Sequence, residues 1–229
     1  MKTPIDSLLT TNLASSQDAL PEGLLPEEPS TETQPTEVLP EAVPDAAAVL
    51  PPWEQLERMA RELQELKENV RGEVHPLAVV DGVLELGEGS VVKAGTVIEG
   101  YVRIGRGCRI GPNAYLRGTV SIGDDCVIGH AVEVKSSILG NQVCVSHLSY
   151  IGDSVLGSDI NVGGGCIFSN FRHDAGEIRM MWKGRLCPTG RNKLGCQIGD
   201  HARIGCKSVI LPGRVVPAGA RTFPGEVIR

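Results

Sequence analysis

The sequence predicts an all-β fold: a left-handed parallel β-helix of six-residue repeats, preceded by one α-helix and a disordered N-terminal tail. Three observations predict it. Aliphatic residues recur every six positions at Val80, Leu86, Val92, Ile98, Ile104, Ile110, Leu116, Ile122, Ile128 and Val134. Glycine follows many of them directly, at Gly87, Gly105, Gly111, Gly123 and Gly129, and a fixed short period of this kind marks a solenoid. The chain holds 28 Gly but only three Phe, three Tyr and two Trp, little aromatic area for a globular core.

The first element is residues 1–50. It carries nine Asp/Glu, one Lys and seven Pro, a net charge of −8, whereas the remainder has 19 acids and 21 bases. With no sustained apolar period it buries too little surface to offset its ordering entropy. It reads as a disordered acidic tail, a linker or a partner-binding segment. The folded part is close to neutral, which argues against nucleic-acid binding. No apolar run reaches the roughly 18 residues of a membrane span, and no apolar segment follows a basic cluster as in a secretory leader. Seven Cys without a C-x-x-C pair argue against a disulfide scaffold or a zinc site. The expected location is cytoplasmic.

Residues 51–72 read as an amphipathic helix spanning 53–71. Pro51 and Pro52 suit its start, and Leu56, Met59, Leu63, Leu66 and Val70 form one apolar stripe. Docking onto the end of the β-domain or a short trimeric bundle would each bury that stripe; the first is taken here.

Residues 76–229 form the β-helix. Its phase shifts near Leu139-Gly140 and resumes at Ile151-Gly152, Leu156-Gly157, Val162-Gly163, Ile198-Gly199 and Ile204-Gly205. A long basic segment, 171–197, interrupts it with Arg172, Arg179, Lys183, Arg185, Arg191 and Lys193; such loops are usually functional or mobile. Trp182 is expected to cap this loop on the solenoid.

Three hexads make one triangular coil, so residues 18 apart should stack at roughly 4.8 Å. Cys108 and Cys126 then form an inward ladder of small side chains, with Cys144 next in the series. The corner column after Val80, Ile98, Leu116 and Val134 reads Asp81, Glu99, Arg117, Lys135. Two stacked bases repel unless an anion lies beside them, and phosphate suits the arginine fork. The competing reading is an ion-pair ladder in which Glu99 neutralises Arg117. A second column holds Lys93, Gly111, Gly129 and His147, leaving open space beside the imidazole. Neutral histidine can accept a proton near pH 7; Tyr150, Asn161 and Asn170 could hold a sugar near it.

The run YLRGTVSIGDDCVIGHAVEVKSSILG, continuing through SHLSYIGDSVLGSDINVGGGCIFSNFRHD, resembles the acetyltransferase domain of the bifunctional glucosamine-1-phosphate acetyltransferase/N-acetylglucosamine-1-phosphate uridylyltransferase family. The later run GRNKLGCQIGDHARIGCKSVILPG is similar to its archaeal-type sugar-1-phosphate nucleotidylyltransferase/acetyltransferase members. The resemblance covers about 100–229. It implies acetyl transfer from acetyl-CoA to an amino-sugar 1-phosphate, feeding nucleotide-sugar synthesis, in a homotrimer with sites between neighbouring chains and no metal. It implies His147 as general base and Asn170 near the reacting amine. Arg117, Lys135, Tyr150 and Asn161 would contact the sugar phosphate. Acetyl-CoA would lie near Gly163, Gly164, Cys206 and Pro224, with backbone N–H groups around Gly163 and Gly164 facing the oxyanion. Phe171 stands where bacterial members carry Tyr, Cys206 where they carry Ser, and Gly176-Glu177 where archaeal-type members carry lysines. Relative to that family, the C-terminal extension that reaches a neighbour's site is expected to be missing. Without a nucleotidylyltransferase domain and its Gly-rich loop, nucleotidyl transfer is expected from a separate partner.

Two rivals differ in class. A zinc-dependent β-helix of the carbonic-anhydrase kind needs three clustered histidines, whereas His75, His130, His147, His173 and His201 are scattered. A non-catalytic sugar-phosphate-binding or scaffold partner of a separate nucleotidylyltransferase would not need Arg117, Lys135, His147, Tyr150 and Asn170 together.

Overall fold

A computed structural model describes residues 50–229; the acidic tail expected at 1–50 lies almost wholly outside them. The described chain is a left-handed parallel β-helix with three faces. The first face stacks Val80, Ile98, Leu116, Val134, Ile151, Phe168, Ile210 and Ile228. The second stacks Leu86, Ile104, Ile122, Leu139, Leu156, Ile198 and Val216. The third stacks Val74, Val92, Ile110, Ile128, Val145, Val162 and Ile204. Most of these aliphatics are fully buried and form one continuous core. Burying each contributes about 1.5–3 kcal/mol.

Inward small residues link the coils. Cys108 N–H donates to Ser90 Oγ at 2.9 Å, Cys126 N–H to Cys108 Sγ at 3.4 Å, and Val143 N–H to Cys126 Sγ at 3.4 Å. The expected Cys108–Cys126 ladder is therefore present, but Val143 takes its next rung. Cys144 points elsewhere and is half-buried. Elsewhere Ser137, Ser154 and Cys196 repeat the pattern; full burial pushes the Cys196 thiol up to about 12.

The reason for the displaced Cys144 is a change of step. Stacked partners lie 18 residues apart up to Val134, 17 apart in the next coils, 42 apart across the insertion and 18 apart again in the last coil. Each irregularity falls at the corner between the first and second faces. Lower down, the strands Val79–Leu86, Val97–Ile104 and Tyr115–Ile122 run unbroken round that corner. They bend on Gly82, Gly100 and Gly118, all with positive φ, a conformation glycine adopts without steric cost. In the next two coils the corner is one residue shorter and turns on Ser136 (φ 45°) and Asp153 (φ 47°). In the coil above, the chain leaves the solenoid after Asn170 and returns at Leu194.

The helix runs Pro52–Gln64, shorter than the stripe suggested; Val70 lies instead in the strand Asn69–Val70. It docks on the flat of the second face, not on the end of the solenoid. Leu56, Met59 and Leu63 pack with Val155, Ile178, Met180 and Leu194, flanked by Tyr101 and Ile138. The insertion supplies three of these residues, and Arg191 Nη1 bonds the Trp53 carbonyl at 3.2 Å. The helix buries its stripe here because the outward side of the second face is apolar at Tyr101, Ile138 and Val155. Within the insertion, Arg179–Trp182 and Arg185–Pro188 form an antiparallel hairpin. Trp182 sits at its tip beneath Lys183 Nζ, so Ile178 and Met180, not Trp182, seal the insertion. Among the described residues no helix is long and apolar enough to cross a membrane.

Candidate functional site

The expected site residues fall on two corners. At the first-to-second-face corner, Arg117 stacks directly on Lys135, as the column predicted. Each base already holds a carboxylate. Arg117 pairs with Glu133 through Nη2 at 2.6 Å and Nε at 2.7 Å, and Lys135 Nζ reaches Asp153 Oδ2 at 2.7 Å. Glu99 does not neutralise Arg117; it accepts a hydrogen bond from the Tyr115 hydroxyl, which raises the Tyr115 pKa. Partial burial works against the charge on Arg117, but the bond it donates to Glu133 and the negative charge of Glu133 outweigh it and raise the pKa. The Arg117 guanidinium also lies 5.6 Å from the Tyr115 ring centre, a cation–π geometry.

Above Lys135 the column continues with Gly152. A Cβ there would sit 2.4 Å from the Tyr150 hydroxyl and 2.9 Å from Asn170 Nδ2. The missing side chain is what admits both groups to this corner. Asn170 Nδ2 donates to Asp153 Oδ2, and the Asn170 amide and the Tyr150 phenol both lie over Gly152. Burial, then the charges of Asp153 and Glu133, push Tyr150 above its ordinary pKa. Arg117, Lys135, Tyr150 and Asn170 are thus brought together, joined by Glu133 and Asp153, which the sequence reading missed. A cleft of about 370 Å³ is lined by Ser169, Phe171, Arg172, His173, Leu211 and Pro212 among others, and by none of Arg117, Lys135, Tyr150 and Asn170.

His147 lies elsewhere. It stacks on His130, not over Gly129; the residue above Gly129 is Ser146. The coil shortened before it moves every later residue by one position. Its corner joins the third face to the first, because twelve residues after Lys135 amounts to two corners of a coil. The two groups are separated by the width of the first face, about 20 Å of extended backbone from His147 to Asp153. Arg117 and Lys135 therefore share no groove with His147 within one chain.

The His147 corner gathers the residues expected near acetyl-CoA. Gly165 N–H donates to the His147 carbonyl at 3.1 Å, and a Cβ on Gly164 would lie 3.4 Å from His147 Cβ. Lys207 N–H bonds the Gly164 carbonyl at 2.9 Å, and Gly225 N–H the Cys206 carbonyl at 2.7 Å. His147, Gly164, Cys206 and Pro224 thus run in one line up the corner. Gly163 lets the chains approach: a Cβ there would meet Cys206 N at 2.5 Å. Its N–H already donates to the Ile204 carbonyl at 2.8 Å, leaving Gly164 N–H as the candidate oxyanion donor. Asn161 lies beside this corner, exposed on the third face between Cys144 and Arg203. His173 and Asp174 form no dyad, since Asp174 is held by Arg172 through two bonds of 2.8 and 2.5 Å.

A family profile described as the GMPPB C-terminal domain matches residues 98–178. A bifunctional sugar-1-phosphate nucleotidylyltransferase/acetyltransferase of Sulfurisphaera tokodaii is 44% identical over 98 residues, covering 43% of this chain and 24% of that protein. The bifunctional protein GlmU of Methanococcus maripaludis is 44% identical over 174 residues, covering 76% of this chain and 42% of its own length. The chain thus spans less than half the length of these curated relatives. Among solved structures, a UDP-N-acetylglucosamine acyltransferase from Campylobacter jejuni aligns at 15% identity and a TM-score of 0.41, over 67% of this chain and 66% of that one. The resemblance carried by residues 100–229 holds in these matches: the chain is similar to the C-terminal half of the bifunctional sugar-1-phosphate nucleotidylyltransferase/acetyltransferases.

Proposed function

We propose that this chain transfers an acetyl group from acetyl-CoA to the amine of glucosamine 1-phosphate or a related amino-sugar 1-phosphate. The observation that carries the reading is the sorting of residues onto two corners. One holds paired bases with Tyr150 and Asn170; the other holds His147 in line with Gly164, Cys206 and Pro224. A homotrimer would set the first corner of one chain against the second corner of its neighbour.

At the first corner the four charges of Arg117, Glu133, Lys135 and Asp153 cancel. A phosphate gains there because guanidinium has five N–H donors and ammonium three, so each base can hold a carboxylate and a phosphate together. At the other corner the neutral His147 imidazole takes the proton as the sugar nitrogen attacks the thioester carbonyl. Gly164 N–H would stabilise the oxyanion of the tetrahedral intermediate. Its collapse breaks the carbon–sulfur bond and releases the coenzyme A thiolate, which takes up a proton.

The test is acetyl transfer to glucosamine 1-phosphate and galactosamine 1-phosphate, with wild type beside His147→Ala. The expected loss on removing the base is about 10²–10⁴-fold in kcat, with the fold unchanged because His147 is exposed. No transfer by wild type to either sugar would end the reading. An unimpaired His147→Ala would end the assigned mechanism.

A further inference from the structure

We propose that Asp153 is a positioning residue for this reaction: it fixes Lys135 and Asn170 against the sugar phosphate and ties them to the inserted segment. The proposal rests on the acetyl-transfer reading. The Asp153 side chain is only 9% exposed. A single oxygen, Oδ2, receives both the Lys135 ammonium and the Asn170 amide. Those donors come from the coil below and the coil above, so one carboxylate sets the relative height of two groups that no strand connects directly. A buried carboxylate left without such partners is strongly destabilising, which keeps all three groups in place.

The backbone of Asp153 makes the same link. Its N–H donates to the Lys135 carbonyl at 2.8 Å, and its carbonyl accepts Gly195 N–H at 2.8 Å. The Asn170 carbonyl accepts Leu194 N–H at 2.9 Å. The insertion thus leaves the solenoid just after Asn170 and returns on Leu194 and Gly195, stitched to the two residues that carry the network. The plainer explanation is that aspartate merely tolerates the left-handed turn at φ 47°. Asparagine tolerates that turn equally well and has nearly the same size, yet it cannot neutralise Lys135. The two explanations therefore part on one substitution.

The experiment is steady-state acetyl transfer by the full chain carrying Asp153→Asn, Asn170→Ala, or both. The expected result is a fall in kcat/KM for the sugar phosphate of about 100-fold for Asp153→Asn, the scale set by a misplaced substrate-positioning group. KM for acetyl-CoA should stay unchanged. The double variant should be little worse than the poorer single one, because the residues act as a unit. Asp153→Asn within threefold of wild type, or losses that multiply in the double variant, would overturn the proposal. Should Asp153→Asn fail to fold, Lys135→Met and Asn170→Ala serve instead. One shared carboxylate makes their combined loss smaller than the product, and a full product would overturn the proposal as well. Wild type without activity overturns the acetyl-transfer reading and this proposal with it, whereas an active wild type beside an unaffected Asp153→Asn overturns this proposal alone.

Discussion

The lower and upper coils solve the same corner differently. Below Val134 the strands turn from the first face to the second without a break, on Gly82, Gly100 and Gly118, and stacked residues keep an 18-residue step. Above it the corner loses a residue in two coils and then expands into the 171–197 insertion. The glycine corners carry outward ion pairs such as Arg103–Glu85, both partners substantially exposed, worth little to stability. The shortened corners carry Lys135 and Asp153, a far less exposed ion pair, with Tyr150 on the adjoining strand and Asn170 at the insertion above. Regular repeats build height; Lys135, Asp153 and Asn170 gather where the repeat is broken.

The sharpest way to break this comparison is to restore the missing residue. Inserting one threonine between Ser136 and Ser137 returns that coil to the 18-residue step. It should displace Lys135 from Asp153 and lower acetyl transfer by about 100-fold or more, while circular dichroism still reports the solenoid. Activity near wild type would show that the shortened corner does not set the site.

Next in size are core truncations on either side of the divide. Phe168, fully buried in the coil from which the insertion departs, should cost about 3–5 kcal/mol as Phe168→Ala. Leu116→Ala in a glycine-cornered coil should cost about 2–5 kcal/mol. Denaturant unfolding measures both. A Phe168→Ala cost well below that of Leu116→Ala would mean that the upper coils are packed more loosely.

The smallest effect concerns acid. At the corner between the second and third faces, which keeps its six-residue spacing, the hydrogen bonds from His201 and Arg203 hold the Asp159 carboxyl below its ordinary range. A folded pKa lowered in this way contributes stability above the unfolded carboxylate value, near 4. That contribution is lost as the pH falls through the lower folded value. Asp159→Asn should therefore slightly lower stability near neutrality and flatten the acid limb of the stability–pH curve below about pH 4, so that the two curves converge in acid. An acid limb identical to wild type would show that this exposed cluster is energetically silent.

How much of this was legible in the sequence follows from the same divide. The six-residue period announced the solenoid, and the 18-residue rule placed Arg117 on Lys135 because both lie where the rule holds. It misplaced His147 and Cys144 because a one-residue deletion leaves the aliphatic pattern nearly intact while shifting every later column. A break between Val134 and Leu139, five residues where six are usual, was the available signal. Glu133 and Asp153 were missed for a different reason. Asp153 stands 18 residues after Lys135, so the column rule itself leads to it, and Glu133 stacks on Tyr115 where that rule still holds; the column of charges was read no further than Lys135 and only at the position after each aliphatic. The docking of the helix was less accessible, since its partners Ile178, Met180 and Leu194 come from a segment without repeat periodicity.

The confinement of every irregularity to a single corner also bears on how such a protein can change. The line through His147, Gly164, Cys206 and Pro224 stands on a corner whose spacing never varies, so insertions and deletions at the opposite edge leave it untouched. On the proposed reading, recognition of the acyl acceptor can be rewritten by adding or removing residues beside Lys135 and Asn170, while the donor side stays as it is. The solenoid separates the two halves of its chemistry into one edge open to variation and one held constant.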